Sequence, residues 1–213
     1  MTTRHWAGVA MVAAIGGMVV VQAARAQSGM AQAAAPVAAT TAAAAATTTA
    51  TTTASTAATA VPARPADVAT VDGIVAALYD VISGTAGQPR DWDRMRSLFA
   101  PEGRLMAVGA RPEGAYALRA MSVDDYITRN SKAFATMGFF EREAARSTET
   151  FGQIVHVFST YESRHARGDA EPFQRGINSI QLVNDGKRWW IVNVLWRAED
   201  ASLRLPERYL PRR

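Results

Sequence analysis

The stretch from Arg175 to Trp196, RGINSIQLVNDGKRWWIVNVLW, constrains the fold more than any other part of the chain. Two runs of Ile, Val, Leu and Trp flank Asn184-Asp185-Gly186, and Asp-Gly between alternating apolar residues is a strong hairpin signal. A two-residue turn at Asp185-Gly186 sets Leu182 against Trp189, Ile180 against Ile191 and Asn178 against Asn193. A three-residue loop with Gly186 left-handed sets Ile180 against Trp190, Asn178 against Val192 and Gly176 against Val194. The second register is preferred because it gathers Ile180, Leu182, Trp190, Val192, Val194 and Trp196 on one face, as a sheet covered by helices requires. Asn178 is then a lone carboxamide in that face. An unpaired buried amide costs about 1–3 kcal/mol, so it needs a side chain, a water or a ligand. The opposite face carries Phe173, Ile177, Trp189, Ile191 and Leu195 among Arg175, Ser179, Gln181 and Asn193. That face is too apolar to stay in water, and a second copy of the chain, in a homodimer, is its natural cover.

Upstream, the pattern is helical. Val68, Val71, Val75, Leu78, Tyr79 and Ile82 recur at helical spacing, with Asp67 placed as the cap after Pro65. Trp92, Met95, Leu98 and Phe99 line a short second helix, closed by Pro101 and Gly103. The third begins at Ser122, which with Asp125 forms a capping-box pattern, and ends at Gly138. RLMAVGA (104–110) reads as a short strand between the second and third helices. Later strands are expected over Phe151–Ala166, Glu171–Val183 and Lys187–Glu199. Helices first and antiparallel strands afterwards mean an α+β domain, with three helices packed on the concave face of a curved, mainly antiparallel sheet.

The first third of the chain does not join this domain. Arg4, an apolar run from Trp6 to Val21 and the small residues before Gln27 make a secretory signal peptide over 1–26. The run falls short of the roughly 20 apolar residues that a spanning helix needs, so no stable membrane span is expected once it is cleaved. Residues 27–66 are almost entirely Ala and Thr, a disordered linker with no face to bury. The domain is placed at 67–205 and a C-terminal tail at 206–213. The implied destination is periplasmic or secreted.

Composition excludes several chemistries. With no Cys there is neither a disulfide nor a thiolate site. The net charge of +4 also says little about nucleic acid. Of 23 basic residues, Arg4, Arg25 and Arg64 precede Asp67, and all 19 acidic residues follow from it, so the domain itself is nearly neutral. No clustered basic face marks a nucleic-acid partner. His156 and His165 are nine residues apart on one strand with no third ligand, so no metal is expected, and nothing calls for a cofactor.

Three helices, the DWDRMRSLFAPEG segment entering the first strand, and the GINSIQLVNDGKRWWIVNVLW hairpin together resemble the nuclear transport factor 2-like superfamily. That group includes ketosteroid isomerase, scytalone dehydratase and the SnoaL-like polyketide cyclases. The resemblance covers about two thirds of the chain, from Asp67 to Glu199, and implies a conical α+β fold. Ketosteroid isomerase uses a carboxylate base with a Tyr and a protonated Asp as oxyanion donors. By resemblance the donor Tyr falls on Tyr79, the protonated Asp on Asn178, and the base near Ala107, where there is no carboxylate. Trp196 matches an aromatic that lines the cavity in related folds.

These readings make Tyr79, Asn178 and Trp196 the expected ligand-binding residues. His156 is the expected base, as a strand residue that titrates near neutrality. Glu141, Arg142 and Glu143 read as a solvated charge cluster. The expected function is binding of a small apolar molecule in the cone. One alternative is a metal-independent acid–base enzyme of SnoaL-like type. The other is a cell-envelope interaction module, since periplasmic assembly factors of type IV secretion share this fold behind an N-terminal anchor.

Overall fold

The computed structural model describes residues 62–111 and 114–211, so the expected signal peptide and residues 27–61 of the expected linker lie outside the described residues. Four helical segments and six strands follow in order: α1 (Pro65–Val68), α2 (Val71–Ile82), α3 (Trp92–Leu98), β1 (Phe99–Ala110), β2 (Tyr116–Met121), α4 (Val123–Thr136), β3 (Phe140–Phe151), β4 (Ile154–Arg164), β5 (Gln174–Asn184) and β6 (Trp189–Ala198). The strands form one sheet in the order β2-β1-β6-β5-β4-β3, antiparallel except where β1 runs parallel to β6. The helices cover its concave face, giving the expected α+β cone. No helix among the described residues is long and apolar enough to cross a membrane.

The first expected helix is two. Thr70 is extended and its side chain accepts from the Gly73 amide, so Thr70, not Asp67, caps α2. Asp67 sits in the single turn of α1 and receives Arg94 Nε at 2.7 Å and Nη2 at 2.9 Å. Both side chains are nearly buried, and Arg94 also reaches Asp80. The pair ties α1 to α3. Asp91 caps α3, and Ser122 and Asp125 form the expected capping box of α4.

The hairpin register is neither of the two expected. Asn184 pairs with Trp189, leaving a four-residue connection, Asp185–Arg188, in which Gly186 has φ +90°. A register shift then leaves Val192 unpaired, since Leu182 faces Ile191 but Gln181 faces Asn193. This bulge changes which β6 residues point inward. Before it, Ile191 is fully buried and Trp189 packs on the core; after it, Val194 and Trp196 do. Trp190 and Val192 therefore leave the inner face to which the sequence assigned them. Val192 is 39 % exposed, and Trp190 donates to Asp185 while Arg188 stacks over its ring at 3.6 Å. Likewise Ile191 and Trp189 are absent from the outer face where a second copy was expected to cover them. Asn178 does point inward, opposite Trp196.

Two strands went unforeseen. β2 is a short edge strand, and β3 is a long one that carries the charged Glu141-Arg142-Glu143 segment. At the chain's end, Glu207–Tyr209 form a 3-10 turn against the outer face of β4. There the Thr160 hydroxyl donates to the Tyr209 carbonyl at 2.5 Å, and Phe158 meets the Tyr209 ring at 5.0 Å.

The Asp67–Arg94 pair sets the first prediction. Hydrogen bonding from Arg94 holds the Asp67 carboxyl below its ordinary range against the opposing effect of burial. Its contribution is present above the unfolded pKa of about 4 and is lost as pH falls below it. Asp67→Asn, which leaves Arg94 partly unpaired in a nearly buried site, is expected to lower stability by about 2–4 kcal/mol at pH 7 in urea denaturation. The gap between variant and wild type should narrow below pH 4.

Candidate functional site

The inner end of the cone is organised by the junction of α2 and β3. Gly84 and Phe139 exchange backbone hydrogen bonds of 2.7 and 3.0 Å, fixing where β3 begins. Ser83, just past α2, donates to the Tyr79 carbonyl at 2.7 Å and accepts from the Glu141 amide at 3.0 Å. Arg90 holds the intervening loop by donating to the carbonyls of Ile82, Gly84, Thr85 and Gln88. Strand alternation then sends Glu141 and Glu143 inward and Arg142 outward. A bulge between Glu143 and Ala145 brings Arg146 onto the inner side as well. Arg146 donates to Glu143 Oε2 from Nε (2.8 Å) and Nη2 (2.5 Å), and to Asp72 on α2 from Nη1.

Across the sheet, one chain of hydrogen bonds links the two carboxyl groups. Ser159 Oγ donates to Glu143 Oε1 at 2.6 Å and lies 2.7 Å from Tyr79 Oη. Asn178 Nδ2 is 3.1 Å from Tyr79 Oη and 3.4 Å from Glu141 Oε1. Ser163 Oγ donates to Glu141 Oε2 at 2.8 Å. Because a carboxylate only accepts, Ser159 must give its hydrogen to Glu143 and therefore accepts from Tyr79. Tyr79 in turn accepts from Asn178. The donor hydrogens run from Asn178 through Tyr79 and Ser159 to Glu143.

This answers why a carboxamide sits in the buried face: its N–H groups join Tyr79 to Glu141. It also places the expected residues. Tyr79 and Asn178 are brought together, but their donors already have protein partners. Trp196 lies beside Asn178 on the next strand and meets Tyr126 of α4 edge to face at 6.3 Å. His156 is on the other side of the sheet, where its Nε2 pairs with Ser179 Oγ at 2.9 Å and its ring meets Phe158 at 5.8 Å. The sheet itself separates His156 from Tyr79, so the expected base cannot reach a proton in the cone.

The carboxyl in position is Glu141, which the sequence reading assigned to the surface. Burial pushes its pKa up to about 7, against the lowering effect of the Ser163 and Asn178 hydrogen bonds. The residue keeps partial exposure. Among the described residues no cation pairs with it, whereas Glu143 two positions on has Arg146. Burial also raises the phenol groups of Tyr79, Tyr126 and Tyr161 well above their ordinary range, and the Glu141 charge adds to each. The one signal in the sequence was the alternation of Glu141, Glu143 and their neighbours in FEREAA, which is strand-like but not apolar. A separate cleft of about 540 Å³ lies between residues 80–91, Phe140 and His165–Arg167, and none of Tyr79, Glu141, Asn178 or Trp196 lines it.

The architecture is α+β, a six-stranded, mostly antiparallel curved sheet with its helices packed on one face. Among solved structures, the chain is similar to an NTF-2-like protein of unknown function from Silicibacter pomeroyi, at 20% identity over 61% of this chain and 99% of that one, with a TM-score of 0.40. It is also similar to an NTF2-like protein of unknown function from Methylobacillus flagellatus, at 14% identity, 62% and 95% coverage and a TM-score of 0.39. A protein with a cystatin-like fold from Nostoc punctiforme aligns at 11% identity over 52% and 78%, with a TM-score of 0.40. No family model matches the chain, and no curated protein matches it.

Glu141 gives a pH prediction whose sign follows from the raised value. Between about pH 4.5 and 7 the unfolded chain releases this proton while the folded domain keeps it, so the stability contributed by Glu141 falls as pH rises and is flat above 7. The groups facing it are Ser163, Asn178, Tyr79, Tyr126 and Tyr161. In Glu141→Gln this titration is absent. The stability difference, wild type minus variant, should drop by up to roughly 3 kcal/mol from pH 4.5 to 7.5 in urea denaturation.

Proposed function

We propose that the domain holds a small organic molecule beside Glu141, against the Tyr126–Trp196 aromatic pair, with Glu141 as the group that takes up or shares a proton. The observation that carries this reading is a carboxyl drawn into the cone with two neutral hydrogen-bond donors and, among the described residues, no cation. Burying a carboxyl without a cation is costly, and a glutamine would satisfy Ser163 at less cost. Carboxyl groups shifted toward neutrality by burial gather at functional sites.

The same value favours metal-independent acid–base chemistry as a second reading. A base works best with a pKa near the working pH, and Glu141 meets that condition. Glu141 thus takes the role that sequence gave to His156.

We further propose that the chain is exported and dimeric. Export is supported by Arg4, the Trp6–Val21 run and the small residues ending at Ala26. Dimerisation through the outer sheet face is supported by Ile154, Phe158, Ile177, Val192 and Leu195, which lie there exposed or half-buried.

A thermal-shift panel of small apolar molecules at pH 6 and pH 8 tests the binding reading. Wild type is expected to be stabilised by at least one compound in a pH-dependent way, and Glu141→Gln to lose that dependence. Stabilisation that is the same in both proteins at both pH values sinks the assignment of Glu141. Mass spectrometry of the mature protein tests export, with an N-terminus at Gln27 expected.

A further inference from the structure

The cleft of about 540 Å³ beside the end of α2 is built without Glu141, and each of its two walls is fixed by its own contacts. One wall is the end of α2 with the loop after it. Arg90 holds that loop by four backbone carbonyls, and its guanidinium occupies the space where a Cβ on Gly84 would stand. The other wall is Phe140 with the first residues after β4. Asp169 Oδ2 accepts from the His165 amide at 3.1 Å and the Ala166 amide at 2.9 Å, and Arg164 Nε donates to the Asp169 carbonyl at 3.0 Å. His165 Nδ1 donates to the Gly138 carbonyl at 3.2 Å, and its ring stacks on Phe173 at 4.2 Å. A Cβ on Gly138 would collide with the His165 carbonyl oxygen, so glycine is what lets this wall pack so closely. The gap between the walls has the size of a small-molecule pocket.

The charges around the cleft do not cancel. Arg94 is met by Asp67 and Asp80, and Arg64 by Asp91, whose other oxygen accepts the Arg94 amide. Arg90 is met by carbonyls alone. Arg167 is met by neither: among the described residues its guanidinium makes no hydrogen bond or ion pair and lies over the Phe140 ring, 4.9 Å from the ring centre. Four guanidinium groups thus stand against three carboxylates, and the one without a partner lines the cleft. A guanidinium that rests its face on a ring keeps its in-plane N–H groups for another partner. A carboxylate accepts two of them at once.

We propose that this cleft binds a small, singly charged organic acid, its carboxylate on Arg167 and its flat apolar body along Pro89, Phe140 and Ala166. A cation would add to the surplus positive charge, and the carboxylates that line the cleft, Asp80 and Asp91, already hold arginines. A neutral molecule would leave the Arg167 fork to water. Neither Glu141 nor the Tyr126–Trp196 pair lines the cleft, so this site stands independently of any ligand in the cone.

The test titrates 2-naphthoate into the 15N-labelled protein, followed by amide NMR, with 2-naphthamide and 2-naphthylmethylamine as its neutral and cationic counterparts. Wild type is expected to bind naphthoate with shifts centred on residues 84–88 and 165–168, and to bind the other two compounds about tenfold more weakly. Arg167→Gln should weaken naphthoate about tenfold and bring it level with naphthamide. Arg167→Lys, which keeps the charge but loses the fork, should fall between. Because Arg167 is exposed and makes no hydrogen bond in the fold, both variants should denature at the wild-type urea concentration. Equal binding of the three compounds, preference for the amine, or naphthoate affinity unchanged in Arg167→Gln overturns the proposal. So does the failure of wild type to bind naphthoate at millimolar concentration. Shifts confined to Tyr126, Trp196 and their neighbours place the acid in the cone and overturn the cleft as its site.

Discussion

The Glu143 carboxylate, held by two nitrogens of Arg146, sets the direction of the hydrogen bonds inside the cone. It can only accept, so Ser159 turns its hydrogen toward Glu143, Tyr79 turns toward Ser159, and Asn178 donates to Tyr79. One ion pair on β3 therefore orients groups on α2, β4 and β5. Such a network has a single low-energy arrangement because reversing one member would leave another unsatisfied in a poorly solvated interior. The consequence reaches Glu141. Its Oε1 receives Asn178 from the start of the chain of donors and its Oε2 receives Ser163, which positions the carboxyl without neutralising it.

The two inward glutamates therefore separate into different roles by environment. Glu143 has a bidentate cation and belongs to the scaffold. Glu141 has neutral donors only and carries the burial cost, which appears as a pKa near 7. The bulge after Glu143 makes the distinction possible, since without it strand alternation would turn Arg146 to the outer face. A second bulge, at Val192, does comparable work on β6 by bringing both Ile191 and Trp196 inward on either side of it. The concave surface owes its composition to these two irregularities as much as to its regular strands.

This is also where sequence reasoning stopped. The α+β class, the α4 capping box and the inward placement of Asn178 were legible because each rests on a local signal: periodicity, a capping pair, or a polar residue in an apolar alternation. β3 was not, because its inner positions hold Glu141, Glu143, Arg146 and Thr148 in place of apolar side chains, and a strand with polar residues on both faces has no period-two hydrophobic signal. β2 was missed for a related reason, as a six-residue edge strand with most of its side chains exposed. The hairpin register failed first because the connection, Asp185–Arg188, is four residues in place of two or three, and then because a bulge inserts one residue into β6 and leaves no mark in composition. For the site, Tyr79 and Asn178 were found as neighbours, but which hydrogens they keep depends on Ser159 and Glu143, more than sixty residues from Tyr79 in sequence.

The outer face follows from the same alternation. Once Tyr161, Ser159 and Val157 point inward, Thr160, Phe158 and His156 must point outward, and they meet different covers. Thr160 is 2 % exposed only because the chain's own end, at Tyr209, lies over it. His156 pairs with Ser179, while Ile154 at the strand's beginning stays 57 % exposed beside Val183. The face is thus closed by the tail at one end of β4 and left apolar at the other. On the side of the β3–β4 turn the apolar surface continues to Phe151, which is 86 % exposed. The outer apolar surface and the Glu141 carboxyl thus lie on opposite sides of the sheet, and the alternate residues of β4 serve both.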